Sequence, residues 1–241
     1  MDINSFLNSL GSTANPLLPS LAVTRVALYV VWAIVLGSGT LLLAGKLARR
    51  YQLGLSVLVM AWTLMPGSAS PAYWLGLAFQ TPSLMSAVIC LRWALSRARP
   101  GQAGGAGVAQ PPIHALKILA AAGIVLGWVL LLDTLAWLPV SVYAWGFGSA
   151  ALGVAAAFAT LLWAVLATAA GAGENQLAPG RVGLLLTVSV LAIFVLTRLP
   201  TGNVWDALID PWLWVALQGG WIVSAARRRI AVQHPSPAAR A

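Results

Sequence analysis

The sequence predicts an all-α membrane protein. The expected architecture is a polytopic transmembrane helix bundle of about seven spans (six if one run fails to cross), with the N-terminus outside and the C-terminus cytoplasmic. Three observations carry that expectation. Of 241 residues, 60% are hydrophobic and only 8% are charged, where a soluble domain uses roughly 25% charged residues to solvate its surface. The apolar residues fall in long runs, and about 20 of them in a helix cross a hydrocarbon core about 30 Å thick at 1.5 Å per residue. Runs such as 118–132 (ILAAAGIVLGWVLLL) show no alternation of apolar and polar residues, which the roughly ten-residue strands of a membrane β-barrel require. Without water in the bilayer, each run must satisfy its own backbone N–H and C=O groups, and a helix does so.

The elements follow in order. Residues 1–20 form an outer N-terminal segment; they include Asp2 and no Lys or Arg, unlike the positively charged start of a cleavable signal peptide. The first apolar run is therefore expected as a retained span. Residues 21–99 hold spans one to three: 21–45, closed by Lys46, Arg49 and Arg50; 52–66, closed by Pro66-Gly67; and 73–95, with Pro82 expected to kink it. Residues 100–114 are Gly-, Ala- and Pro-rich, a composition that packs no core and reads as a flexible cytoplasmic loop. Residues 115–229 hold spans four to seven, at about 115–132, 142–169, 182–198 and 212–226. The tail 230–241, with Pro235 and Pro237, is expected to be disordered.

Charge supplies the orientation. With the N-terminus outside, the inner loops and tail hold all of the 14 Lys and Arg residues except Arg25 and Arg198, whereas Asp2, Asp133, Asp206 and Asp210 fall outside. Basic residues accumulate on the cytoplasmic side of membrane proteins, so the net charge of +9 points to anionic lipid headgroups rather than to nucleic acid. Compact loops and Arg-rich inner flanks point to a bacterial inner membrane. A shift of 73 residues lays Asp133 on Asp206, Leu135 on Leu208, Val142 on Val215 and Gly146 on Gly219. That pattern would fit a repeated hairpin, since repeats of parallel topology occur in membrane proteins.

One region concentrates polar chemistry. Asp206 and Asp210 are four residues apart, which on a helix puts both carboxylates on one face. Arg198 is placed to pair with one of them, and Asp133 to approach from the neighbouring hairpin. With Trp205, Trp212 and Trp214 as an aromatic surround, these residues suggest an outward-facing site for a cation or a polar headgroup. The simpler reading is helix capping, with Asp206 as the N-cap of a short helix and Asp210-Pro211 starting the last span. Most of the 12 tryptophans read as interfacial anchors, the ring in apolar surroundings and the N–H in water. Gly123 and Gly127, and Ser149, Gly153 and Ala157, stand at four-residue spacing on two spans. Such small-residue faces let helices approach closely, within the bundle or against another membrane subunit.

Missing residues exclude several classes of function. Histidine occurs only at His114 and His234, outside the spans, and Cys90 is the only cysteine. Bis-His haem, intramembrane zinc proteolysis and Ser–His or Cys–His catalysis therefore lack a ligand or a base. No span carries a central ionisable residue of the kind that ion-driven pumps and proton relays place in the bundle interior. No phosphate-binding glycine motif is present. No cofactor and no metal are expected. The leading expectation is a non-enzymatic subunit, scaffold or assembly factor of a larger inner-membrane system. A transporter or channel for a small neutral or amphipathic solute is the alternative. An enzyme working on a lipid-linked substrate at the outer face through Asp206, Asp210 and Arg198 is the third reading.

Overall fold

The computed structural model describes residues 17–98, 113–169 and 178–233. These residues are all-helical, with no strand among them. Residues 1–16 of the expected outer segment, most of the 100–114 loop and 234–241 of the tail lie outside the described part.

Helix α1 (Leu21–Leu43) starts at Ser20, whose hydroxyl accepts a hydrogen bond from the Val23 N–H. Its 23 residues make it the one described helix that is both long and apolar enough to cross a membrane; apolar segments 118–134, 149–164 and 183–197 in later helices are shorter. Helix α2 (Arg49–Thr63) follows. A 3-10 turn at Gly67–Ala69 leads to Ser70, which caps α3 (Pro71–Phe79), with Pro71 in the first-turn position where its missing N–H costs nothing.

The expected third span is broken rather than kinked. Helix α3 ends at Gln80, with φ at 60°, and α4 (Leu84–Ala98) starts four residues later. Pro82 is the physical reason: it supplies no N–H, and it disfavours helical backbone at Thr81 before it. With 15 residues each, α2 and α4 are about 22 Å long at 1.5 Å per residue, short of a hydrocarbon core of about 30 Å.

The second half contains α5 (Ile113–Thr134), the single-turn α6 (Val142–Trp145), α7 (Ser149–Ala169), α8 (Ala178–Thr197), the short α9 (Val204–Leu208) and α10 (Pro211–Gln233). Helix α5 thus takes in residues 113 and 114 of the expected loop, and α10 runs seven residues past the expected end of the last span at 226, taking in residues 230–233 of the tail expected to be disordered. A short helix precedes each of α4, α7 and α10. The shift of 73 residues does not align these elements, because α7 and α10 begin 62 residues apart and Val142 would fall inside α10.

Helix α1 packs against α2 and α4, α7 against α8, α8 against α4, and α10 against α5. Glycine sets two of these contacts. A Cβ at Gly37 would lie 2.4 Å from Met60 Cγ on α2, and one at Gly127 would lie 2.3 Å from Trp214 Cδ1 on α10. The α5 glycine pair is thereby occupied within the chain, Gly127 by Trp214 and Gly123 by Leu217.

The α7 row differs from expectation. Ala151, Ala155 and Ala159 are buried, whereas Ser149, Gly153 and Ala157 are exposed and nothing lies within 4 Å of a Cβ at Gly153. Both rows have the four-residue spacing that lets helices approach. The bundle uses the alanine row two positions further on, where methyl groups fill the contact with α8.

The core, formed by Met85, Ala151, Ala155, Val190, Phe194, Val204, Trp205 and Ala207 with their neighbours, lies where α4, α7, α8 and α9 meet. The outside of the long helices is apolar: Leu43, Leu58, Leu196 and Ile222 are among the large side chains left exposed.

Candidate functional site

Asp133, Asp206 and Asp210 come together at one end of the bundle, the acidic end. Arg49 is at the other end, where its Nη2 donates to the Ala98 carbonyl at the close of α4. Asp210 is buried and serves two helices at once. One carboxylate oxygen accepts from the Leu213 N–H, 2.8 Å away, and so caps α10. The other accepts from the Ser83 N–H at 2.8 Å and the Ser86 hydroxyl at 2.6 Å, at the start of α4. Ser83 Oγ also accepts from the Ser86 N–H, so two N–H groups of the α4 terminus exposed by the Pro82 break are met by side chains. A carboxylate at two helix N-termini also sits favourably against both helix dipoles.

Asp206 is not the N-cap of α9. That role belongs to Asn203, whose side-chain oxygen accepts from the Trp205 N–H. Asp206 lies in the first turn and accepts from the hydroxyls of Thr201 and Tyr143, the latter at 2.8 Å. Tyr143 links this carboxylate to the third, because its N–H donates to Asp133 at 2.7 Å. Asp133 therefore reaches the 198–210 corner through Tyr143. The Tyr143 hydroxyl is pushed up from 10.0 to about 12, first by burial and then by its hydrogen bond to the Asp206 carboxylate and that group's charge.

Asn203 completes the join. Its side-chain amide donates to the Tyr143 carbonyl, the Val204 N–H donates to the Gly146 carbonyl, and Trp205 Nε1 donates to the Val142 carbonyl. The fit requires glycine at 146, where a Cβ would stand 1.8 Å from Asn203 Oδ1.

Arg198 does not pair with an acidic residue as expected. Its guanidinium is buried with Nε and Nη2 unpartnered, 5.2 Å above the Phe194 ring, and burial lowers its pKa. The residue has φ of 58°, and its N–H and C=O are engaged by Phe194 and Gly202. The side chain thus lies against Phe194 of α8, with no acidic partner among the described residues.

The three surrounding tryptophans separate. Trp205 is 7% exposed and belongs to the core. Trp214 lies against Trp128 edge-on and donates to the Ile124 carbonyl, fixing α10 to α5. Trp212 alone is half-exposed, edge-on to Phe79. Trp74, Trp137 and Trp145 are also exposed at this end, while Trp32 Nε1 donates to the Gln80 carbonyl at the α3–α4 break.

Ser83, Ser86, Thr201, Tyr143 and Asn203 take part without having been singled out as site residues. Only the serines carried a local signal, a Ser-x-x-Ser spacing directly after Pro82 that resembles a helix start. Among the described residues no group of His, Cys, Asp and Glu is arranged to hold a metal. Compared with protein families, curated proteins and solved structures, the chain matches none.

Proposed function

We propose that this chain is a seven-span integral membrane protein with the acidic end outside and the basic end in the cytoplasm, acting as a non-catalytic subunit, scaffold or assembly factor. The membrane reading is supported by the apolar surface of the long helices. Soluble monomers rarely expose contiguous apolar patches beyond a few hundred Å². It is also supported by the segregation of acidic and basic residues to opposite ends, which is the charge asymmetry that orients bilayer proteins. On this reading α3 and α4 together make the third crossing, with the break near the outer surface.

The non-catalytic reading is carried by one observation: Asp133, Asp206 and Asp210 all accept hydrogen bonds from groups that join the connections to one another. A general acid or base has to face a substrate, whereas both oxygens of Asp210 and one oxygen each of Asp133 and Asp206 face N–H and hydroxyl groups of the fold. A role in joining the connections is thereby favoured over catalysis for the acidic residues.

The test is complementation of a deletion strain by Asp133→Asn, Asp206→Asn and Asp210→Asn, with the amount of protein in the membrane measured alongside. Activity that follows protein amount is the expected result. A variant present at the normal level yet unable to complement would favour the lipid-substrate enzyme instead.

A further inference from the structure

A half-open cavity of about 920 Å³ lies between α4, α5, α7, α8 and the α9–α10 corner, with Val125, Val154 and Phe158 of its lining exposed. Its volume is within the roughly 300–1,000 Å³ typical of ligand sites. At the acidic end it is closed by Trp205 and Leu208; toward the basic end its lining includes Arg92, Trp93 and Ser96. The α5 wall runs from Leu119 to Val129, about 15 Å at 1.5 Å per residue.

Between these ends the walls are aliphatic and aromatic apart from Thr187, whose hydroxyl is already bonded to the Gly183 carbonyl. Left unfilled by apolar groups, walls of this kind forfeit dispersion contacts. A flexible hydrocarbon chain restores those contacts. The cationic end then selects what the chain carries. Arg92 is exposed and has no carboxylate or hydrogen-bond partner among the described residues. Arg97, five residues on, instead lies over the Trp93 ring at 5.3 Å. Basic pockets between helices on the cytoplasmic side suit anionic lipid headgroups.

We propose that the cavity binds one anionic membrane lipid, with an acyl chain extended toward Trp205 and the headgroup phosphate at Arg92. This rests on the membrane reading above and is independent of whether the chain acts as a subunit. A neutral lipid would fill the walls equally well but leave the Arg92 charge unmatched, so the site distinguishes lipids by headgroup.

The test uses the full chain reconstituted in vesicles of phosphatidylcholine and phosphatidylglycerol in equal amounts, then released in mild detergent for native mass spectrometry. Retention of one phosphatidylglycerol per chain in preference to phosphatidylcholine is expected. Arg92→Gln should lower that preference about fivefold, the size of one basic side chain's attraction to an anionic lipid surface, and Arg92→Lys should keep it. Ala122→Trp, on the cavity wall, should displace the lipid while thermal unfolding reports an intact fold. Equal retention of the two lipids, an unchanged preference in Arg92→Gln, or a folded Ala122→Trp that still holds phosphatidylglycerol would each overturn the proposal. Alkaline carbonate extraction of the wild-type chain is read first: release from the membrane would overturn the membrane reading itself.

Discussion

Tyr143 holds two carboxylates from connections far apart in the chain, one through its N–H and one through its hydroxyl. Removing the hydroxyl in Tyr143→Phe leaves Asp206 with Thr201 alone, at a cost of about 1–2 kcal/mol at neutral pH. The pH dependence has a definite sign. Folding raises this group from 10.0 to about 12, so its contribution is complete below the unfolded value and is lost as pH rises through that window. The stability gap between wild type and Tyr143→Phe, measured by denaturant unfolding in detergent, should therefore be constant up to about pH 9 and shrink above it. Asp210 is the second key residue. Asp210→Ala uncaps α4 and α10 together, and at about 1 kcal/mol per cap the loss should be about 2 kcal/mol in the same assay. The capping of α10 was legible in the sequence, because Asp-Pro before an apolar run is a local signal. Its bonds to Ser83 and Ser86 were not. They join residues more than 120 positions apart, and local patterning does not indicate which helix starts meet.

Helix α5 presents two glycines to α10, and helix α7 presents one to open space. The two cases predict opposite responses to the same substitution. Gly127→Ala drives a methyl group into the Trp214 indole and should destabilise by about 1–3 kcal/mol, as overpacking does. Gly153→Ala meets nothing and should be neutral or stabilise by up to about 1 kcal/mol through helix propensity. Thermal unfolding of the two variants side by side checks both. Four-residue spacing of small residues was visible on both helices, but spacing fixes a row without fixing where it points. On α7 the competing alanine row has the same period, and only the contact with α8 selects between them. The break at Pro82 was half-legible in the same way. Proline marks the site, but the size of the interruption depends on groups that meet the two broken ends, here Trp32 at the Gln80 carbonyl after α3 and Asp210 at the start of α4.

At the scale of the whole molecule, the helical class was the most legible feature, because it follows from composition and run length alone. Gathering of the three aspartates at one end was also foreshadowed, since the positions of the charged residues along the chain imply it. The roles of their neighbours were less so, because Arg198 lies against Phe194 and Trp205 is drawn into the core, outcomes of tertiary packing rather than of spacing. Membrane topology is the central claim, and cysteine accessibility tests it most directly. In a Cys90→Ala background, single cysteines at Ser68 and Trp137, exposed at the acidic end, and at Lys46 and Arg97, exposed at the other, are treated in intact cells with a membrane-impermeant maleimide. With the acidic end outside, 68 and 137 are labelled from outside, and 46 and 97 only after permeabilisation. Labelling of all four without permeabilisation, or of 46 and 97 alone, would contradict it.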